Sequence, residues 1–410
     1  MTKLVNVTKE TPDNVPKEQI QEWKEEQRVV ESLVKVYEDP TASSALLQNE
    51  ELRQNHDRTC STEILEDTPW CKVLRSSFLK YDDAQTDNKN ATIERQYLFG
   101  GVDIGWPNPS SSNSEADLRA VAVYVIVDAR TMQVVYRDHK WISMEEIPPY
   151  VSTFLAFREI DPLQSLVQHQ KKTNPEMTPV VIFVDGNGIY HPRHAGIASF
   201  LGVRTNIPTI GIGKTLLHIG NENSECQDDY HWTRRKLDTR IDKVLHHVYR
   251  YIVFTGENGA DDCDLDLAKR LRKHKGLIHM KEGSPNHLYT KHTAIEESRP
   301  RPREEILQAL FSYCNGISIP LEAPNSTSDD HRFKILGAAL LGHGGSKASL
   351  GSKRPVIVSV GHMLSLAEAT LLTARLSMFR IPEPIRQADL YGRELLRERE
   401  NQTGIEVPLK

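Results

Sequence analysis

Residues 180–184 read Val-Val-Ile-Phe-Val, and the run stops abruptly at Asp185-Gly186-Asn187-Gly188. An unbroken apolar run of this length, bounded by turn residues, predicts a strand covered on both faces, which points to an α/β sheet. A carboxylate at the C-terminal end of such a strand, with glycines that let the chain turn sharply, lies where open α/β sheets bind ligands. Asp also caps turns through its own side chain. On this stretch alone, a turn cap and a ligand site are both open.

The neighbouring stretches supply the context. Residues 97–104 form an apolar strand containing Asp103, and 119–127 and 133–138 form two more after short connections. Strands joined so closely predict an antiparallel meander. A helix is expected over 150–163, with Phe154, Phe157 and Ile160 at helical spacing and Glu159 off the apolar face. After the 180–185 strand come a helix over 193–201 and a strand over 209–213 that ends in Lys214. The resulting order is β-β-β-α-β-α-β. Further on, 332–341 and the apolar strand 355–360 precede Gly361-His362, and Ser365 is placed to cap a helix carrying Leu366, Ala369, Thr370 and Thr373. A charged helix is expected over 385–398.

The flanks are different in character. Residues 1–16 are polar and are expected to be a disordered lead-in, as is the tail 401–410. Between them and the sheet, 17–95 reads as an extension packed on the core. It starts with a helix whose Ile20, Trp23, Gln27, Val30 and Val34 share a face, followed by a mostly loop segment with a packed stretch near 70–79. Residues 218–330 interrupt the α/β pattern with acidic and basic clusters, an apolar stretch over 244–254 and a Pro-Arg run over 299–303. This segment is expected to be an insertion, and its basic runs read as solvated helix faces before they read as nucleic-acid contacts.

Composition bounds the function classes. The 410 residues carry a formal net charge of −5, so the chain as a whole does not attract a polyanion. Binding to nucleic acid would have to come from a local basic surface or from cations held by carboxylates. Five scattered cysteines without CxxC spacing argue against a disulfide framework and a structural zinc site, and fit free thiols in a reducing compartment. No apolar run approaches the ~20 residues of a membrane span, so no membrane partner is expected. An intracellular location in the cytoplasm, the nucleus or both, the nucleolus included, follows as an expectation.

Three carboxylates stand out by position. If the first and fourth strands lie side by side, Asp103 and Asp185 face each other at the sheet edge with Glu159 leaning over them. Clustered like charges are costly unless a cation binds them. Hard oxygen ligands suit Mg²⁺ or Mn²⁺, ions that activate water and stabilise the charge of a phosphodiester displacement.

Gly101-Val102-Asp103-Ile104-Gly105, Pro149-Tyr150-Val151-Ser152 with Phe154-Leu155-Ala156-Phe157-Arg158-Glu159, Val184-Asp185-Gly186-Asn187-Gly188 with His191-Pro192-Arg193, and Ser359-Val360-Gly361-His362 together resemble the endonuclease V family. The resemblance covers about 97–216 and 331–396, with an echo in the Trp23 helix. It implies a ribonuclease H-like fold: a mixed α/β sheet, three antiparallel strands then parallel ones, flanked by helices, with 97–216 and 331–396 as the catalytic domain and 218–330 as a large insertion of unknown role.

It further implies that Asp103, Glu159 and Asp185 hold a catalytic Mg²⁺, for which Mn²⁺ substitutes. His362 is expected beside the scissile phosphate, and Lys214 is expected to supply positive charge there. Nucleic-acid contacts are expected from Tyr150, a wedge filling the space left by a flipped base, from Gly186, Gly188 and Gly196, which admit that base, and from His191 and Arg193. The implied substrate is inosine-containing RNA or DNA, cut at the second phosphodiester 3′ to inosine to leave 5′-phosphate and 3′-hydroxyl ends. A monomer is expected.

Two residues depart from the pattern: Asn187 stands where many bacterial members carry His, and Thr153 where Gly is common. The Asn form resembles the eukaryotic branch, which favours RNA. The competing readings are another ribonuclease H-like nuclease, such as a junction resolvase, and an inosine-binding protein that has lost catalysis.

Overall fold

The protein was analysed as a computed structural model that describes residues 15–37, 62–63, 72–75, 97–107, 119–219, 232–255, 314–323, 333–342 and 354–402. In chain order the elements are α1 (Lys17–Leu33), β1 (Val36–Tyr37), β2 (Thr62–Glu63), β3 (Lys72–Arg75), β4 (Leu98–Gly105), β5 (Arg119–Asp128), β6 (Gln133–Ser143), α2 (Ala156–Thr173), β7 (Val181–Asp185), α3 (Ile197–Thr205), β8 (Thr209–Gly213), α4 (Arg234–Thr255), β9 (Cys314–Glu322), β10 (Ile335–Gly342), β11 (Val356–His362), β12 (Leu364–Ser365), α5 (Leu366–Arg375) and α6 (Glu383–Gln402).

Ten strands form one mixed sheet in the order β2-β3-β9-β10-β11-β8-β7-β4-β5-β6. The expected meander β4-β5-β6 is antiparallel. The first and fourth strands of the sequence reading, β4 and β7, are parallel neighbours with Val102 opposite Val184, and β7 is parallel to β8. Asp103 and Asp185, one residue beyond that pair on each strand, therefore end up side by side. Val181, Ile182, Phe183 and Val184 are fully buried, as an unbroken apolar run requires.

Successive side chains of β5 separate the two faces of the sheet. Ala122, Tyr124 and Ile126 join the main core with Ile160 and Leu163 of α2, whereas Val121, Val123 and Val125 pack with Ala388 of α6. Asp103 pairs with Val123 and so belongs to the α6 face. Gly101 lets α6 settle directly on β4: a side-chain carbon there would lie 2.1 Å from the Pro384 carbonyl oxygen.

Several expectations are corrected. Helix α2 starts at Ala156, not at 150, and continues to Thr173, so Tyr150 lies in the irregular segment before it. Glu159 is on the buried face with Ile160, Leu163 and Leu166, not off it. The helix expected over 193–201 runs from Ile197 to Thr205, and α6 extends to Gln402, into the segment expected to be a disordered tail. The segment 218–330 supplies α4 and also β9, which joins the sheet between β3 and β10. Trp232, Leu237, Ile241 and Val244 are buried in the main core. The lead-in 1–14 and residues 403–410 lie outside the described residues, as do most of 40–95 and the runs at 269–275 and 299–303. Among the described residues, no helix is long and apolar enough to cross a membrane.

Candidate active site

The C-terminal ends of β4, β7 and β8 deliver Asp103, Asp185 and Lys214 to one edge. Lys214 Nζ donates to Asp185 Oδ2 at 2.5 Å, with the two side chains only partly exposed. Asp103 and Asp185 lie within reach of one another at the ends of adjacent parallel strands. Burial, followed by the Asp185 charge, holds the Asp103 carboxyl well above the usual carboxylate range, with Lys214 opposing the shift. Burial is also the largest influence on Lys214, and pulls it down. The Asp185 and Asp103 charges outweigh it, so the ammonium is retained more firmly than usual.

Glu159 reaches the same edge from α2, on the opposite face of the sheet. It is 7% exposed, and burial and then the Asp185 charge push it up to about 8, with Arg158 opposing. Asp103 and Glu159, both raised by burial and by the Asp185 charge, are short of positive charge that one lysine supplies only in part. Their hard oxygen donors fit a divalent cation of the Mg²⁺ type. Among the described residues, no three acidic, His or Cys side chains are already drawn into a closed metal cage. The Asp103–Asp185 pair is thus the nucleus of the candidate site, with Glu159 coupled to it at longer range.

A fourth carboxylate was missed in the sequence. Asp389 of α6 acts electrostatically on Lys214 and pairs with Arg393 at 2.8 Å. It sits between Pro384, which packs on Gly101, and Gly392, which lies against Gly105. Because Asp103 faces α6 between those two glycines, α6 carries Asp389 to the same end of the sheet. The available signal was the helical spacing of Ile385, Ala388 and Gly392, which puts Asp389 next to the buried stripe.

His362 is not brought to this edge. Asp185 is opposite Ile212, and Ile212 is opposite Val358, whereas His362 pairs with Thr209, opposite Ile182. Three residues along β8 amount to about 10 Å. His362 is buried at the other end, against Gly202 of α3, and its Nδ1 accepts from the Lys35 backbone N–H at 3.2 Å. A histidine near the end of a strand has no fixed end of the sheet until strand direction is known, and β11 runs antiparallel to β8.

The expected nucleic-acid contacts divide. Tyr150 is 58% exposed, and Trp106, three residues beyond Asp103, is half-exposed under the Arg158 guanidinium at 4.2 Å from its ring. Gly186 has φ +143° and lies beside Ile197 and Leu155. At Gly188 and Gly196 the room a side chain would need is filled by the chain itself, by the Val360 carbonyl at 2.1 Å and the Asn187 carbonyl at 2.2 Å. These two glycines let the chain pack closely on itself and so set the path of the loop.

His191 is buried, hydrogen-bonds the Thr153 carbonyl through Nε2 at 2.8 Å and accepts the Arg193 N–H at Nδ1. Those partners define the neutral imidazole, with the proton on Nε2. Arg193 donates to Thr153 and Gln27 and lies over the Phe154 ring. Both side chains brace a loop from within the protein, where the sequence reading expected nucleic-acid contacts.

A mixed sheet with carboxylates at the ends of adjacent central strands, one more from each flanking helix layer and a lysine beside them defines a nuclease of the ribonuclease H-like class. The endonuclease V family model matches residues 82–251 and 331–390. Mouse endonuclease V is 30% identical over 324 residues, 79% of this chain and 67% of the mouse protein. Human endonuclease V is 29% identical over 327 residues, 80% of this chain and 81% of the human protein. The crystal structure of the human endonuclease V catalytic domain matches with a TM-score of 0.51 at 25% identity, covering 96% of this chain and 100% of that one. Ciona intestinalis endonuclease V, solved with a 23mer DNA containing an inosine followed by a ribo-adenosine, matches with a TM-score of 0.51 at 21% identity, covering 94% and 99%. This chain belongs to the endonuclease V family and is an endonuclease, a hydrolase of phosphodiester bonds.

Proposed function

We propose that this endonuclease recognises inosine in single-stranded RNA, and in DNA, and cuts the second phosphodiester bond on its 3′ side, leaving 5′-phosphate and 3′-hydroxyl ends. The observation that carries the reading is the Asp103–Asp185 pair side by side at the ends of β4 and β7, with Lys214 bonded to Asp185 and Glu159 electrostatically coupled to it. The relative crystallised with inosine-containing DNA supplies the substrate class.

Mg²⁺ is the cation this donor set suits, with Mn²⁺ able to replace it; bound there, it supplies Lewis-acid stabilisation and lowers the pKa of attacking water. Asp103 and Asp185 hold the cation, and Glu159 orients the water that attacks. Lys214 neutralises charge on the phosphoryl oxygens as the bond to the leaving oxygen breaks. Asp185 and Asp103, with a smaller contribution from Asp389, keep that ammonium charged. Tyr150, exposed on the irregular segment before α2, fills the place of the flipped base, because an aromatic ring replaces lost stacking. Gly186, whose positive φ turns the chain directly after Asp185, lets the backbone come close to the base.

The test is cleavage of matched labelled RNA and DNA strands carrying one inosine or one guanosine, with Mg²⁺, with Mn²⁺ or with chelator. Cleavage of the inosine strands alone, one nucleotide beyond the inosine and only with metal, is the expected result. Equal cleavage of guanosine strands, or preference for branched DNA or RNA:DNA hybrids, would replace inosine recognition with another nuclease specificity. Binding without cleavage in both metals would leave an inosine-binding protein.

A further inference from the structure

Thr153 has φ +68°, a left-handed conformation that is strained for a β-branched residue. It lies three residues after Tyr150, in the segment that leads into α2 and Glu159. Such a conformation persists only where its surroundings impose it, and here they meet the Thr153 carbonyl and hydroxyl. The Thr153 carbonyl receives Gln27 Nε2 at 3.0 Å, His191 Nε2 at 2.8 Å and an Arg193 Nη2 at 3.1 Å, and the same Nη2 donates to Thr153 Oγ1 at 2.6 Å. Gln27 closes the network by accepting from Arg193 Nε and donating to the Ala195 carbonyl at 3.4 Å.

Gln27 belongs to α1, 126 residues away in the chain, and is 1% exposed. The same helix inserts Trp23 between Phe157, stacked at 5.0 Å, and Phe154 at 5.7 Å, in a cluster that includes Val151. Helix α1 thus anchors the 151–157 segment both through Gln27 and through Trp23. A buried amide that uses both its donor and its acceptor on one loop is rigid, and removal of either function leaves the other groups unpaired.

We propose that α1 is a positioning element of the recognition loop: Gln27, directly and through Arg193, holds Thr153 in its left-handed conformation and so sets where Tyr150 stands relative to Asp103 and Asp185. The inference rests on the reading of Tyr150 as the wedge for an inosine-containing strand. Gln27 touches no reacting atom. Its effect is on how the base is received, which makes it a determinant of affinity and of inosine-over-guanosine choice rather than of the chemical step.

The experiment is a five-protein comparison in the full chain: wild type, Gln27→Ala, Thr153→Gly, both together, and Gln27→Glu, which keeps an acceptor for Arg193 but loses the donor to Thr153. Measured are KM and kcat on a single-inosine RNA strand, the inosine-to-guanosine ratio, and amide hydrogen exchange over 150–157. Gln27→Ala is expected to raise KM about tenfold with kcat changed much less, to lower the ratio and to speed exchange at the Phe154 amide, which donates to the Val151 carbonyl at 3.0 Å. Because glycine adopts a positive φ unaided, the added effect of Gln27→Ala should shrink to about twofold in the Thr153→Gly background. Should Gln27→Ala fail to fold, Gln27→Glu is expected to show the same pattern.

A lower melting temperature with unchanged KM, ratio and local exchange would reduce α1 to scaffolding and overturn the proposal. So would an equally large effect of Gln27→Ala with Gly at 153. If wild type itself shows no preference for inosine, the functional reading fails separately, and the exchange data still decide whether Gln27 holds the loop.

Discussion

Asp103 and Asp185 are carboxyls pressed together where little water reaches them, and the energetic tension this creates is what a cation relieves. Replacing one with an amide removes the repulsion and one metal donor together. Asp103→Asn is therefore expected to lose at least about a hundredfold in cleavage while its metal-free melting temperature at pH 8 stays at or above that of wild type; a thermal melt beside a cleavage assay checks both. Asp389→Asn removes a charge that holds Lys214, and a loss of about tenfold in kcat is expected. His362 separates the sequence reading from the structure most sharply. Buried, bound to the Lys35 amide and remote from the carboxylates, it should tolerate Gln with most of the cleavage rate retained and about 1 kcal/mol of stability lost. A collapse of kcat in folded His362→Gln would restore its expected place beside the phosphate.

At the scale of elements, helix starts and packing distances bear most on the site. Helix α5 begins in a capping box: the Ser365 hydroxyl accepts from the Glu368 N–H at 3.2 Å while Glu368 Oε2 accepts from the Ser365 N–H at 2.8 Å. Both groups are buried, so Ser365→Ala should cost about 1 kcal/mol, read as a lowered urea midpoint at unchanged slope. This cap was legible in the sequence because a Ser-x-x-Glu pattern is local. The start of α2 was not. Phe154 and Phe157 share helical spacing, but Phe154 precedes the helix and packs on Trp23 with Val151, in a contact that only the fold creates. Glu159 was misplaced for the same reason, because a carboxylate on a buried helix face is at odds with binary patterning until it serves a site.

At the scale of the whole molecule, segments more than three hundred residues apart close on one another. Strand β1 pairs in parallel with β12, the Met363 N–H donates to the Lys35 carbonyl at 2.7 Å, and α1 lies against α3 and the recognition loop. This closure buries two histidines as neutral imidazoles. Burial, then Arg193, lowers His191 to about 3, and burial, then Lys35, lowers His362 to about 4, both from an ordinary value of 6.5. The unfolded chain binds the protons that these histidines refuse, so their contribution to stability is full above about pH 6.5 and falls as pH drops toward 4 and then 3. Stability measured by denaturant across that range should decline more steeply in wild type than in the His191→Gln/His362→Gln pair; equal slopes would mean that neither ring is held neutral. The central strands, the meander and the placement of Asp103, Asp185 and Lys214 at strand ends were determined by the sequence itself, because apolar runs and turn residues act over a few neighbours; the pairing of β4 with β7, which joins segments about 80 residues apart, was settled by the fold. Only the tertiary structure decided which end of the sheet His362 occupies, that α6 brings Asp389 to the carboxylates, that His191 and Arg193 turn inward, and that β9 joins the sheet. Those outcomes depend on strand direction and on contacts between segments far apart in the chain, and no local pattern encodes either.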